Sequence, residues 1–77
     1  MTEDKTLQLF GSHVKELRLS LGLSQEQLAT LCELDRTYIS GIERGKRNLS
    51  LVNIVKLASS LNISPSELMN FKEEINL

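Results

Sequence analysis

The sequence predicts an all-α fold, a compact bundle of five short helices. Three observations carry this: apolar residues recur at three- and four-residue spacing, a residue able to cap a helix precedes most of these segments, and no segment alternates as a strand would.

In chain order, Leu7, Phe10, Val14, Leu17 and Leu21 step by three and four, which places them on one stripe of a helix from about Thr6 to Ser20, ended by Gly22. Ser24 with Gln27 has the form of a capping box, so a second helix starts at Gln25 and runs through Leu28 and Ala29 to about Cys32. Asp35 caps a third helix beginning at Arg36, with Ile39 and Ile42 on its buried side and Gly45 as its stop. After the polar loop Gly45-Lys46-Arg47-Asn48, Ser50 caps a fourth helix whose inward stripe is Leu51, Ile54, Leu57, Ala58 and Leu61. Ser64-Pro65-Ser66-Glu67 opens a fifth, with Ser64 as N-cap, Pro65 at the first helical position and Glu67 closing a capping box. This last helix is expected to pass through Leu68 to about Glu74.

At 77 residues the chain is one domain, 1–77. A chain this small buries only about 60% of its unfolded surface, so each large apolar residue has a structural duty first. An apolar fraction of 40% with 25% charged residues excludes a disordered tail. No apolar run approaches the roughly 20 residues of a membrane span, and the first residues do not start a signal peptide, so a cytoplasmic location is expected. The single cysteine, Cys32, excludes an internal disulfide and a cysteine-based zinc site; between Leu31 and Leu34 it reads as a small buried hydrophobe. Catalysis is not expected. The single histidine, His13, has no evident partner, and neither a phosphate loop nor a metal motif occurs, so no cofactor or metal is expected.

A net charge of −1 opposes nucleic-acid binding until its distribution is considered. From Ser24 to Asp35 the charges are Glu26, Glu33 and Asp35; from Arg36 to Arg47 they are Arg36, Arg44, Lys46 and Arg47 against Glu43 alone. Helices two and three are joined by only Glu33-Leu34-Asp35, the connection of a helix-turn-helix spanning about 25–44, and Ala29 is small where the two must cross. With Ile39 and Ile42 inward, Arg36, Thr37, Ser40, Gly41 and Arg44 point outward. Arg36 suits a bidentate contact to guanine, and Thr37 can offer a hydroxyl to a base or a methyl to thymine. Ser40 and Gly41 complete the base-reading set. Gly41 costs about 1 kcal/mol in a helix interior, so its missing side chain either admits DNA or is a tolerated weak position. Tyr38 has two readings, a phosphate or sugar contact and packing at the core's edge. Arg44, Lys46, Arg47 and Asn48 are assigned to phosphates, which fix register without reading sequence. Gln25, at the amide end of helix two, is assigned likewise.

The run from Asp35 to Asn48, with Gln25 and Ala29 at matching places in helix two, resembles the Cro-like and lambda-repressor-like (XRE-type) helix-turn-helix superfamily, and more narrowly the controller proteins of bacterial restriction-modification systems. The resemblance extends from Leu7 to about Phe71. It implies a dimeric transcriptional regulator acting on double-stranded DNA at the promoters of its own and the endonuclease gene, first activating and later repressing. It also implies base contacts from Arg36 and Thr37 and phosphate contacts from Tyr38, Arg47 and Asn48. The chain departs from the common pattern at Glu33, where many such proteins have glycine; a positive φ there costs of order 1 kcal/mol.

One recognition helix reads few base pairs, so a two-fold homodimer with half-sites about 34 Å apart is expected. Val52, Val55, Met69, Phe71 and Ile75, with Leu77, are apolar residues in surplus over a core, and they place the dimer contact on helices four and five, about 50–74; the alternative is that these helices only close the core. Glu26 and Glu33 are either a surface for RNA polymerase or a solvated acidic face. The rival functions are a general XRE-type repressor and an antitoxin or other protein-interaction module on the same fold. An antitoxin would carry a further segment, and only Lys72 to Leu77 follow helix five.

Overall fold

The computed structural model describes residues 2–72. Helix α1 spans Glu3–Ser20, beginning three residues earlier than the apolar pattern suggests because the Thr2 hydroxyl accepts from the Lys5 amide at 3.1 Å. Glu3 and Asp4 then meet the positive end of the helix dipole. Phe10 and Val14 are buried and Leu7 and Leu17 half-buried, but Leu21 is exposed. The helix has ended by Leu21, which caps it, and the left-handed Gly22 (φ 70°) turns the chain away from the stripe.

Helix α2, Gln25–Cys32, starts at a complete capping box: Ser24 Oγ accepts from the Gln27 amide at 3.0 Å, and Gln27 Oε1 accepts from the Ser24 amide at 2.8 Å. Its buried residues are Leu28, Ala29 and Cys32. Burial pushes the Cys32 thiol pKa up, in keeping with a small core residue. Glu33 closes the helix in the left-handed conformation (φ 57°, ψ 39°), and the amide of Leu34 reaches back to the Ala29 carbonyl at 2.9 Å.

Helix α3, Arg36–Glu43, is capped by Asp35, whose carboxylate accepts from the Thr37 amide at 3.2 Å. Helix α4, Leu51–Ser60, is capped by Ser50, which accepts from the Asn53 amide at 3.2 Å. Of the stripe expected on α4, Leu57, Ala58 and Leu61 are buried and Ile54 is half-buried, but Leu51 is 76% exposed. Leu51 lies at the right angle around the helix but is left uncovered at its first residue. Helix α5, Pro65–Leu68, is one turn long and not the longer helix expected. Its capping box is present, but from Asn70 the chain leaves helical geometry, and the Phe71 ring packs edge-on against Phe10 with centroids 5.8 Å apart. Glu73, Glu74, Ile75 and Leu77 lie outside the described residues.

Val14, Leu28, Cys32, Ile39, Ile42, Leu57, Leu61 and Leu68 form the fully buried center, contributed by all five helices and the residue that caps α4. Gly11 lets α1 touch the C-terminal end of α3: a β-carbon there would collide with the Ile42 carbonyl oxygen and come within 2.9 Å of that of Glu43. His13 Nε2 lies 3.2 Å from the Glu67 carbonyl and ties α1 to α5, a structural use of the single histidine. Among the described residues no helix is long and apolar enough to cross a membrane.

Candidate nucleic-acid interface

Burial of Ile39 and Ile42 fixes the rotation of α3 about its axis and leaves its N-terminal residues Arg36 and Thr37 exposed. Arg44 is exposed at the other end, its Nε donating to the Ser40 carbonyl at 3.3 Å, and Ser40 is half-buried between them. Lys46, Arg47 and Asn48 are exposed in the loop that follows, which the Lys46 amide closes by donating to the Gly41 carbonyl at 2.8 Å. The cationic side chains thus border one side of α3, while Glu26 and Glu33 are exposed on α2 and its cap.

Two residues assigned to DNA make contacts within the chain. Gly41 is buried rather than open to solvent, and the space of its missing side chain holds the Arg47 chain, whose Cγ would lie 3.0 Å from an added β-carbon. Gln25, assigned to phosphate, is engaged with protein: its Nε2 donates to Glu43 Oε1 at 3.1 Å, and its Oε1 accepts from Arg36 Nη1 at 3.3 Å. Tyr38 is half-buried, which agrees with packing at the core's edge. Its hydroxyl accepts from Asn53 Nδ2 at 3.3 Å, and the Arg47 guanidinium sits over its ring, 5.4 Å from the centroid.

An ion pair the sequence reading missed underlies this surface. Arg18 Nε donates to Glu43 Oε2 at 2.7 Å and Nη2 to Oε1 at 3.0 Å, a two-pronged contact with side chains only 8% and 3% exposed. Arg18 Nη1 donates to the Leu23 carbonyl at 2.7 Å, so the pair joins α1, the loop before α2 and the end of α3. The hydrogen bond to Glu43 holds the guanidinium more firmly protonated than usual, outweighing the opposing effect of burial. A signal was present in the sequence: Arg18 follows Val14 by four, and Glu43 follows Ile39 by four, so both charges continue buried stripes. Among the described residues no buried side-chain polar atom lacks a partner.

Away from this surface, Leu51, Val52, Val55 and Met69 are exposed, by 76, 64, 48 and 48%. Phe71, grouped with them from the sequence, is instead half-buried against Phe10 and His13, so much of its ring serves the chain's own core. Ile75, the remaining member of that group, lies outside the described residues.

Residues 14–68 match the helix-turn-helix family model. The control protein C.BamHI of Bacillus amyloliquefaciens is 53% identical over 64 residues, covering 82% of this chain and 79% of that one. The crystal structure of the restriction-modification controller protein C.AhdI from Aeromonas hydrophila superposes with a TM-score of 0.79 at 60% identity, over 80% of this chain and 94% of that chain. A further structure, the controller protein C.Esp1396I as a tetramer in complex with its natural 35 base-pair operator, gives a TM-score of 0.76 at 40% identity, over 82% of this chain and 83% of that one.

Proposed function

We propose that this chain, which belongs to the helix-turn-helix family and within it to the control proteins of restriction-modification systems, acts as a two-fold dimer at the promoters of its own gene and of the neighboring endonuclease gene. As a control protein it is a sequence-specific DNA-binding regulator of transcription, not an enzyme by family. The observation that carries the detailed reading is the exposure of Arg36 and Thr37 at the leading end of a helix whose other side is locked in the core. In this reading α3 enters the major groove, Arg36 and Thr37 meet base edges, and Ser40 lines the same groove. Arg44, Lys46, Arg47 and Asn48 follow the phosphate backbone, and Tyr38 supports Arg47 from below.

The dimer reading is supported by the exposed apolar residues Leu51, Val52 and Val55 on α4 and Met69 just after α5. Two copies joined there present two recognition helices to half-sites one helical turn, or a multiple of it, apart. Glu26 and Glu33, exposed on the acidic side, form the surface offered to RNA polymerase when the dimer activates. The chain works in the cytosol, where its DNA is.

The test is footprinting on the DNA upstream of its own gene, alongside sedimentation of the protein alone. Two protected half-sites related by two-fold symmetry, and a dimer at micromolar concentration, are expected. A monomer at high micromolar concentration, or no protection, would remove this reading. Charge reversal at both Glu26 and Glu33 is expected to abolish activation and leave DNA binding intact.

A further inference from the structure

Helix α5 is a single turn, and a helix that short has too few hydrogen bonds of its own to stay formed. Side chains hold it instead. Leu68 is fully buried, and the Phe71 ring packs edge-on against Phe10 with centroids 5.8 Å apart and tilted against His13 at 6.2 Å. His13 Nε2 lies 3.2 Å from the Glu67 carbonyl oxygen. A carbonyl oxygen only accepts, so Nε2 carries the proton and His13 donates in either protonation state. The same oxygen accepts from the Asn70 amide at 3.2 Å, so the bond from α1 falls on the atom about which the chain turns out of the helix. Between the two residues tied to α1, Glu67 and Phe71, stands Met69, whose own side chain is 48% exposed.

We propose that His13 is a positioning residue for dimerization: by donating to the Glu67 carbonyl it holds the turn that carries Met69, and it acts through that turn rather than on the partner copy. The inference rests on the reading of α4 and the residues after α5 as the dimer surface. The two parts of that surface differ in how they are held. Val52 and Val55 stand on a ten-residue helix whose other side is anchored by Leu57 and Ala58, so their places are fixed by α4 itself. Met69 has no such helix beneath it. A side chain on a loosely held turn must be ordered when a second copy arrives, and that ordering subtracts from affinity. The hydrogen bond from His13 orders the turn in advance. It also accounts for a ring with a donor, rather than an aliphatic side chain, beside the buried Val14 and against Phe71.

The experiment is sedimentation equilibrium of the full chain, with urea unfolding of each variant at a concentration where it is monomeric. His13→Met keeps the reach of the side chain and removes the donor; His13→Phe removes the donor and keeps a ring beside Phe71. Both are expected to raise the dimer dissociation constant by roughly 3- to 10-fold, the range of one hydrogen bond. His13→Gln, whose amide places a donor at a similar distance, is expected to restore it to within about twofold. Met69→Ala is expected to weaken the dimer by itself, and His13→Met added to it should cause no further loss. A His13→Met or His13→Phe protein with a lower urea midpoint and an unchanged dimer has lost only a fold contact, and the proposal is overturned. Losses that add in the His13→Met, Met69→Ala double variant would overturn it as well, because His13 would then act apart from Met69. If Met69→Ala and Val52→Glu both left the dimer intact, or the unaltered chain were monomeric, the reading of the dimer surface itself would fall, and this proposal with it.

Discussion

Helices α3 and α4 are built alike and present opposite surfaces. Each starts at a side-chain cap, Asp35 or Ser50, and each buries one side in the common core. Yet α3 and its C-cap expose Arg36, Thr37 and Arg44, whereas α4 exposes Leu51, Val52 and Val55. The difference lies in what keeps each helix in place. The end of α3 is fastened by the Arg18–Glu43 pair and by Gly11, so its outer side is free to carry polar residues at little cost to the fold. The first turn of α4 is tied to α3 through the Asn53–Tyr38 hydrogen bond and keeps apolar residues in water, which favors a second surface to cover them.

The sharpest way to break this contrast is to remove the fastening. Glu43→Ala leaves the Arg18 guanidinium buried without its partner and is expected to cost about 3–5 kcal/mol, read as a fall in the urea midpoint of unfolding. Val52→Glu addresses α4 instead. Because Val52 is exposed, the fold should survive, while a carboxylate forced into an apolar contact costs at least about 2 kcal/mol, or roughly 30-fold in dimer dissociation. Sedimentation equilibrium checks this, and an unchanged dimer would move the contact elsewhere.

Smaller effects separate duties within the α3 surface. Arg36→Ala should lose roughly 1–3 kcal/mol of affinity and relax discrimination at one base pair, whereas Arg47→Ala should weaken all sequences alike and lower the salt slope by roughly one. If gel shifts showed both losses to be uniform, Arg36 would be a phosphate contact. The smallest change is at the turn. Glu33 holds a left-handed conformation that a β-carbon disfavors, so Glu33→Gly should stabilize the fold by up to about 1 kcal/mol. A thermal melt should show this as a rise of a few degrees.

Helix starts were legible because a cap is a local event: Ser24, Asp35, Ser50 and Ser64 each bond an amide two or three residues ahead, and the sequence shows both partners. The buried stripes of α2 and α3 were legible for the same reason, since spacing alone sets which residues share a side. The outer ends were harder to read. Leu21 and Leu51 have the right spacing and are nonetheless exposed, because spacing gives an angle around a helix and not how far the neighboring helices extend.

What the sequence by itself determined is the set of four helix starts at Ser24, Asp35, Ser50 and Ser64, set by contacts within a few residues, and the spacing of Ile39 and Ile42 that leaves Arg36 and Thr37 outward. Only the tertiary structure decided how those residues are supported. Arg18 and Glu43 are 25 residues apart, Gln25 and Arg36 are 11 apart, and Gly41 is filled by Arg47 from beyond the end of the helix. These are contacts between elements, fixed when the core packs, and a helical spacing pattern does not record which charged side chain will meet which.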